Sequence, residues 1–143
     1  MTLSVYLDAS FLTGLFITTD VFANRAATFF AGNDESLIVS DFAAAEFASV
    51  IARVRRMNHI QEVLAREIFD TFDLWRTRSA DEENVISFDI RAATMIIRRL
   101  DLNIRAPDAI NLAIARRLGA DIATFDQGMI QNAGALGIAV AAV

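Results

Sequence analysis

The chain of 143 residues contains no cysteine and no lysine, and it has one proline, one histidine and one tryptophan. Without cysteine it has no disulfide, thiolate zinc site or thiol nucleophile, which fits the reducing cytoplasm. Without lysine it lacks the Walker loop of nucleoside-triphosphate sites and the lysine on which receiver domains and haloacid-dehalogenase-type phosphatases rely. It also lacks the Gly-x-Gly-x-x-Gly motif, which excludes the usual dinucleotide site.

The composition predicts one folded domain over residues 1–143. Hydrophobic residues make up 55% of the chain and charged residues 22%, which excludes a disordered protein. The longest uncharged stretch, residues 127–143, is too short and too polar to cross a bilayer, and the start lacks the basic region of a secretory signal. We therefore expect a soluble, cytoplasmic protein that does not bind a membrane.

The negative charge is distributed unevenly along the sequence. The formal net charge is −5, which argues weakly against nucleic acid as a partner. Residues 1–52 hold six acidic residues against one arginine, whereas residues 91–117 hold six arginines against two acidic residues. A phosphate-bearing partner therefore remains compatible with the sequence.

Apolar runs alternate with amphipathic segments along the whole chain. The pattern predicts strands at 4–7, 37–39, 85–88 and 122–125, with a possible fifth at 138–143. It places helices between them, with Asp20, Asp41 and Asp89 at helix starts and the acidic residues 81–83 in a loop. This alternation favours an α/β fold with a mainly parallel sheet of four to five strands and helices on both faces.

Four carboxylates occupy positions where an acid contributes little to packing. Asp8 and Asp126 each end an apolar strand, Asp108 follows the only proline, and Glu46 interrupts a nearly apolar helix. Ligands of such folds bind beyond the carboxyl ends of the strands, and Asp8 and Asp126 belong to that edge. Since converging carboxylates with no lysine nearby need another source of positive charge, the sequence predicts divalent cations.

Each position also has a structural interpretation. Asp8 and Asp126 are suited to capping the helices that follow them, and Asp108 to favouring a helix dipole. Glu46 has no comparable structural role among its apolar neighbours. His59 is interpreted as a surface or capping residue, and Trp75 as a core or interface residue.

The segments around these acids resemble the PIN-domain ribonucleases, with the closest likeness to the VapC toxins of bacterial toxin–antitoxin pairs. The resemblance extends over essentially the whole chain, in order. The matching segments are Tyr6-Leu7-Asp8-Ala9-Ser10, Ser40-Asp41 with Glu46, Ala106-Pro107-Asp108-Ala109-Ile110, and Leu118 to Asp126.

The resemblance implies a single PIN-like domain that acts as a metal-dependent endoribonuclease. Asp8, Glu46, Asp108 and Asp126 would form the acidic cluster, with Mg²⁺ or Mn²⁺ as the cofactor. Ser10 and Thr124 match positions where the family carries supporting hydroxyls, and Asn111 falls on a polar position. The residues proposed to contact RNA are Arg53, Arg91 and Arg105. The alternative is a catalytically silent PIN-like binding module.

Two protein partners are also expected from the resemblance, a small antitoxin and a second copy of the chain. The aromatic side chains of Phe69, Phe72 and Trp75 on one predicted helix, residues 59–78, favour an interface there. Within the acidic cluster, burial and mutual repulsion are expected to raise the carboxyl pKa values when metal is absent.

Overall fold

A computed structural model describes residues 3–143 as four strands and seven helices. The strands are β1 (Ser4–Leu7), β2 (Ser36–Ser40), β3 (Asp81–Glu83) and β4 (Asp121–Ala123). The helices are α1 (Ala9–Phe16), α2 (Ala23–Gly32), α3 (Asp41–Arg56), α4 (Glu62–Ser79), α5 (Ser87–Arg98), α6 (Ala106–Leu118) and α7 (Gln127–Ala135). In the described part of the chain, no helix combines the length and the apolar character needed to cross a bilayer.

The four strands form one parallel sheet in the order β3-β2-β1-β4. In β1, the consecutive residues Val5, Tyr6 and Leu7 are all buried. Because successive side chains of a strand point to opposite faces, both faces of the sheet must be covered. The predicted α/β class with a parallel sheet and helices on both faces is confirmed.

The strand order creates a crevice at the carboxyl ends of β1 and β4. From β1 the chain adds β2 and β3 on one side, and then returns to place β4 on the other side of β1. This change of direction is the topological switch point at which open α/β sheets bind their ligands. Because α6 leads into the start of β4 through Gly119 and Ala120, the first turn of α6 lies at the carboxyl edge.

The predicted strand at 85–88 is wrong. The strand is instead formed by the acidic residues Asp81–Glu83, which pair with β2 at the sheet margin, and Ser87 already begins α5. Phe88 is 54% exposed, so the apolar run does not mark a buried strand. Charged residues on an edge strand are common because they discourage pairing with other chains.

Three smaller predictions also need correction. The possible fifth strand is reduced to a single bridge between Ile122 and Val140. The N-cap of α2 is Phe22 and not Asp20. The Asp20 carboxylate instead accepts a hydrogen bond from the amide of Phe22. Asp89 is likewise inside α5 rather than at its cap, and its carboxylate accepts from the amide of Ile86.

The aromatic residues of α4 pack against the core. Phe72 is buried and its ring contacts those of Phe16 and Phe47, at centroid distances of 5.4 and 4.7 Å. Trp75 packs edge-on against Phe16 at 5.2 Å, and Phe69 packs against the same core. Phe72 therefore belongs to the core and the core interpretation of Trp75 is supported, while an interface on this helix stays a prediction.

Candidate active site

The fold brings the four predicted acids to one edge of the sheet. Asp8 directly follows β1, and Asp126 lies three residues beyond β4. Glu46 is the sixth residue of α3, which begins at the end of β2, and Asp108 is in the first turn of α6. All four line one cleft with a volume of about 380 Å³.

Asp8 is held by three donors from the protein. Its Oδ1 accepts hydrogen bonds from the Ser10 hydroxyl at 2.7 Å and from the amide of Phe11 at 2.9 Å, while Thr124 donates to Oδ2. The bond from Phe11 makes Asp8 the N-cap of α1. Asp8 is only 3% exposed, so these donors fix the orientation of a buried carboxylate.

Ser10 and Thr124 also connect Asp8 to the segment that carries Asp126. Their hydroxyl oxygens lie 3.2 Å apart. The Ser10 hydroxyl accepts from the amide of Phe125 at 3.0 Å, and the Thr124 hydroxyl accepts from the amide of Asp126 at 3.1 Å. The two hydroxyls therefore fix the ends of β1 and β4 relative to each other.

Glu46 is hydrogen-bonded to a residue of α6. The Asn111 side-chain amide donates to Glu46 Oε1 at 2.6 Å and to the carbonyl of Pro107 at 3.0 Å. Glu46 is half-buried, whereas Asn111 is 2% exposed. Asn111 was marked in the sequence only as a polar position; its proximity to Glu46 was not visible because the two residues are 65 positions apart.

Asp126 and Asp108 are the more accessible members of the cluster. Asp126 is exposed and is the N-cap of α7, where Oδ1 accepts from the amide of Met129 at 2.9 Å. Asp108 is half-buried near the start of α6. The capping interpretation is thus correct for Asp8 and Asp126, and it does not exclude a second role since each carboxylate also borders the cleft.

Burial and mutual repulsion disfavour the ionised forms of three of these acids. Burial raises the pKa of Asp8, and the nearby Asp126 raises it further, although hydrogen bonds from Thr124, Ser10 and Phe11 oppose the shift. Burial also raises the pKa of Glu46, against the hydrogen bond from Asn111, and that of Asp108, to which Asp126 adds. The expected upward pKa shifts are confirmed for these three.

The predicted basic residues fall into two groups. Arg53 on α3 and Arg105 before α6 are exposed and line the cleft, and among residues 3–143 they are the cationic side chains that do so. Arg91 is exposed on α5 and does not line the cleft. Asp20 also borders the cleft; sequence reasoning missed it because an aspartate near a helix start looks like a cap.

The donors in the cleft suit a hard divalent cation that retains water. Within residues 3–143, no three acidic or histidine side chains are close enough to form a ready-made metal cage. Mg²⁺ does not require one, since it keeps several waters and is usually bound through one or two carboxylates. Four carboxylates line this cleft, and carboxylate oxygens are donors that such cations prefer.

Two other predicted positions have no part in the cleft. The buried carboxylate of Asp89 forms an ion pair with Arg117 at 2.7 Å, which joins α5 to α6. His59 is exposed beyond the end of α3, as predicted for a surface residue.

A scan against family models matches residues 5–135 to the PIN domain. No protein with a curated description matches the chain in sequence.

Solved structures with a similar fold come from several bacteria. The chain is similar to VapC20 of Mycobacterium tuberculosis, described as a sarcin-ricin loop cleaving toxin, with 18% identity, a TM-score of 0.76, and 97% of this chain and 99% of that chain covered. For VapBC2 of Rickettsia felis bound to a promoter DNA fragment, the identity is 11%, the TM-score 0.68, and the coverage 97% and 98%. For a toxin-antitoxin complex of Klebsiella pneumoniae, the identity is 15% and the TM-score 0.59, with 85% of this chain and 86% of that chain covered.

Proposed function

The chain belongs to the PIN-domain family, and on that premise we propose that it is a divalent-metal-dependent endoribonuclease, the toxin of a toxin–antitoxin pair. The observation that carries the proposal is the cleft in which Asp8, Glu46, Asp108 and Asp126 meet. A single carboxylate at a strand end is explained by helix capping. Four that border one cleft, with repulsion among them, are explained by a bound cation.

The roles of the four acids follow from how each is held. Asp8 and Asp126, fixed beyond the ends of β1 and β4, are proposed to hold Mg²⁺ or Mn²⁺ directly. Glu46 and Asp108, on α3 and α6, are proposed to hold its waters. A cation bound here would lower the pKa of a water and stabilise charge on the phosphodiester. Ser10 and Thr124 keep Asp8 oriented through the bonds already described.

The rest of the cleft is suited to a phosphate backbone. Arg53 and Arg105 are exposed at the wall of the cleft and are proposed to bind phosphates on either side of the cleaved bond. Arg91, which lies outside the cleft, is proposed to contact RNA farther from that bond, if the substrate extends over α5.

An antitoxin is proposed as the protein partner. VapC20 is described as a toxin, and the Klebsiella structure as a toxin-antitoxin complex. The overall fold of this chain is similar to theirs, and its acidic cleft would attract a basic segment of such a partner. We expect this pair to act in the cytoplasm.

The alternative is a catalytically silent PIN-like module that binds RNA without cleaving it. Purified protein incubated with structured RNA separates the two. We expect cleavage with Mg²⁺ or Mn²⁺, loss of cleavage with EDTA, and recovery when Mn²⁺ is added back in excess. RNA that is bound but stays intact with either metal would favour the silent module.

A further inference from the structure

A series of buried hydrogen bonds joins Ser40, Tyr6, Asn111 and Glu46. The hydroxyl oxygens of Ser40 and Tyr6 lie 2.6 Å apart. The Tyr6 hydroxyl donates to Asn111 Oδ1 at 2.5 Å, and Asn111 Nδ2 donates to Glu46 Oε1 at 2.6 Å. Tyr6 and Ser40 are fully buried, so the series runs through the core and reaches the cleft at Glu46.

The direction of donation along this series is fixed by its neighbours. The Ser40 hydroxyl accepts from the amide of Ala43 at 2.9 Å, and the single hydrogen of Tyr6 goes to Asn111. The Ser40 hydrogen is therefore the one that bonds Tyr6. The side-chain amide of Asn111 donates its two hydrogens to Glu46 Oε1 and to the carbonyl of Pro107. From Ser40 through Tyr6 and Asn111, each residue donates to the next in the direction of Glu46, which suits an ionised carboxylate at the end.

The same residues tie together the three elements that carry acids of the cluster. Tyr6 is two residues before Asp8 on β1, and Asn111 is one turn beyond Asp108 on α6. Ser40 is the N-cap of α3, the helix that carries Glu46. The series thus begins at the N-cap of α3, passes through β1 and α6, and ends on α3 at Glu46.

Packing alone gives little reason for this choice of residues. Tyr6 lies in the main apolar core, where a phenylalanine would fill nearly the same volume without a hydroxyl to satisfy. Buried polar groups are costly unless each is bonded, and a fully bonded network fixes one arrangement of the parts that it joins. Here the joined parts are the supports of the acidic cluster.

We propose that Tyr6, Ser40 and Asn111 are positioning residues that set the separation of the carboxylates of Asp8, Glu46 and Asp108. The inference rests on the proposed function, because the separation matters through the cation that the carboxylates share. Residues that orient metal ligands commonly contribute about 10- to 100-fold to metal affinity or activity.

The test uses Tyr6→Phe and Asn111→Leu, with Asn132→Leu as the matched control. Asn132 is also a buried asparagine, and its amide donates to the carbonyl of Asn103, outside the cleft. Three quantities are measured for each protein: the Mn²⁺ dissociation constant by calorimetry, kcat and KM for RNA cleavage, and the metal-free melting temperature. Tyr6→Phe removes one oxygen, so it keeps the test valid if Asn111→Leu does not fold.

We expect Asn111→Leu to weaken Mn²⁺ binding by about 10-fold and Tyr6→Phe by a smaller factor, with kcat lowered and KM unchanged in both. The control should keep the wild-type Mn²⁺ affinity and kcat even if it melts at a lower temperature. Wild-type affinity and kcat in both variants, beside an active wild type, would overturn the inference and leave the proposed function intact. If Asn111→Leu alone has an effect, Tyr6 and Ser40 are not positioning residues. A wild type that neither binds Mn²⁺ nor cleaves RNA would overturn both proposals.

Discussion

At the scale of single residues, two acids of the cleft combine a structural with a proposed chemical role. Asp8 and Asp126 each cap a helix through one carboxylate oxygen, Oδ1, while the side chain borders the cleft. A helix N-terminus stabilises negative charge. Capping therefore keeps the carboxylates of Asp8 and Asp126 in place even when no cation offsets the repulsion between them. The two roles are separable by substitution, since asparagine caps a helix about as well as aspartate.

The first prediction separates these roles at Asp126. Asp126→Asn should unfold with the same free energy as the wild type in the absence of metal, because the cap is kept. Asp126→Ala should lose about 1 kcal/mol. Both variants should lose the rise in melting temperature that Mn²⁺ gives the wild type. Thermal melts with and without Mn²⁺ decide, and a rise of wild-type size in Asp126→Asn would show that Asp126 is not a ligand.

The second prediction concerns the pH dependence that Asp8 gives to the metal-free protein. Burial raises the pKa of Asp8, so the folded state holds this proton more tightly than the unfolded state does. The resulting stability is complete below the unfolded pKa of about 3.9 and is lost as the pH rises through the folded pKa. The free energy of unfolding of the wild type should therefore fall relative to Asp8→Asn as the pH rises from about 4.

Urea titrations in the presence of a chelator measure this difference across the pH range. Asp73→Asn, on the exposed face of α4, controls for the loss of one negative charge far from the cleft. A difference between the wild type and Asp8→Asn that stays constant with pH would contradict the raised pKa.

At the scale of secondary structure, local patterns predicted most elements and failed where a distant partner decides. The apolar runs of β1 and β2 and the Ser40 cap of α3 are encoded locally, and the structure confirms them. Strand β3 is not encoded locally, because the acidic residues Asp81–Glu83 form it by pairing with the distant strand β2. The four acids could be predicted because each stands out in its local sequence. The bond between Asn111 and Glu46 could not, because the two residues are 65 positions apart.

The third prediction tests the ion pair between α5 and α6. Asp89→Ala leaves the amide of Ile86 and the guanidinium of Arg117 without this partner. Because Arg117 retains partial contact with water, the expected loss is about 2 to 3 kcal/mol in the free energy of unfolding. Asp101→Ala removes the exposed pair with Arg99 and is the control, which should unfold at nearly the wild-type urea concentration. Equal effects of the two substitutions would contradict a structural role for Asp89.

At the scale of the whole molecule, apolar side chains are exposed on both α4 and α5, and those of α5 border a groove. Phe88 and Met95 of this helix are 54% and 66% exposed, and they border a groove of about 620 Å³ against α6. We propose that a second copy of the chain covers this face, since large exposed apolar patches mark interfaces. Met95→Glu should then shift a dimer toward monomer in light scattering, whereas Leu64→Glu on α4 should not. A wild type that is monomeric at every concentration would contradict the dimer.

The most direct test of the central claim measures single-turnover RNA cleavage at saturating Mn²⁺. The proteins compared are the wild type, the control Asp73→Asn, and the four variants Asp8→Asn, Glu46→Gln, Asp108→Asn and Asp126→Asn. If the four carboxylates form one nuclease centre, each of the four variants should lose at least about 100-fold in rate while the control keeps the wild-type rate. Cleavage at the wild-type rate by all four variants, or no cleavage by the wild type, would contradict the claim.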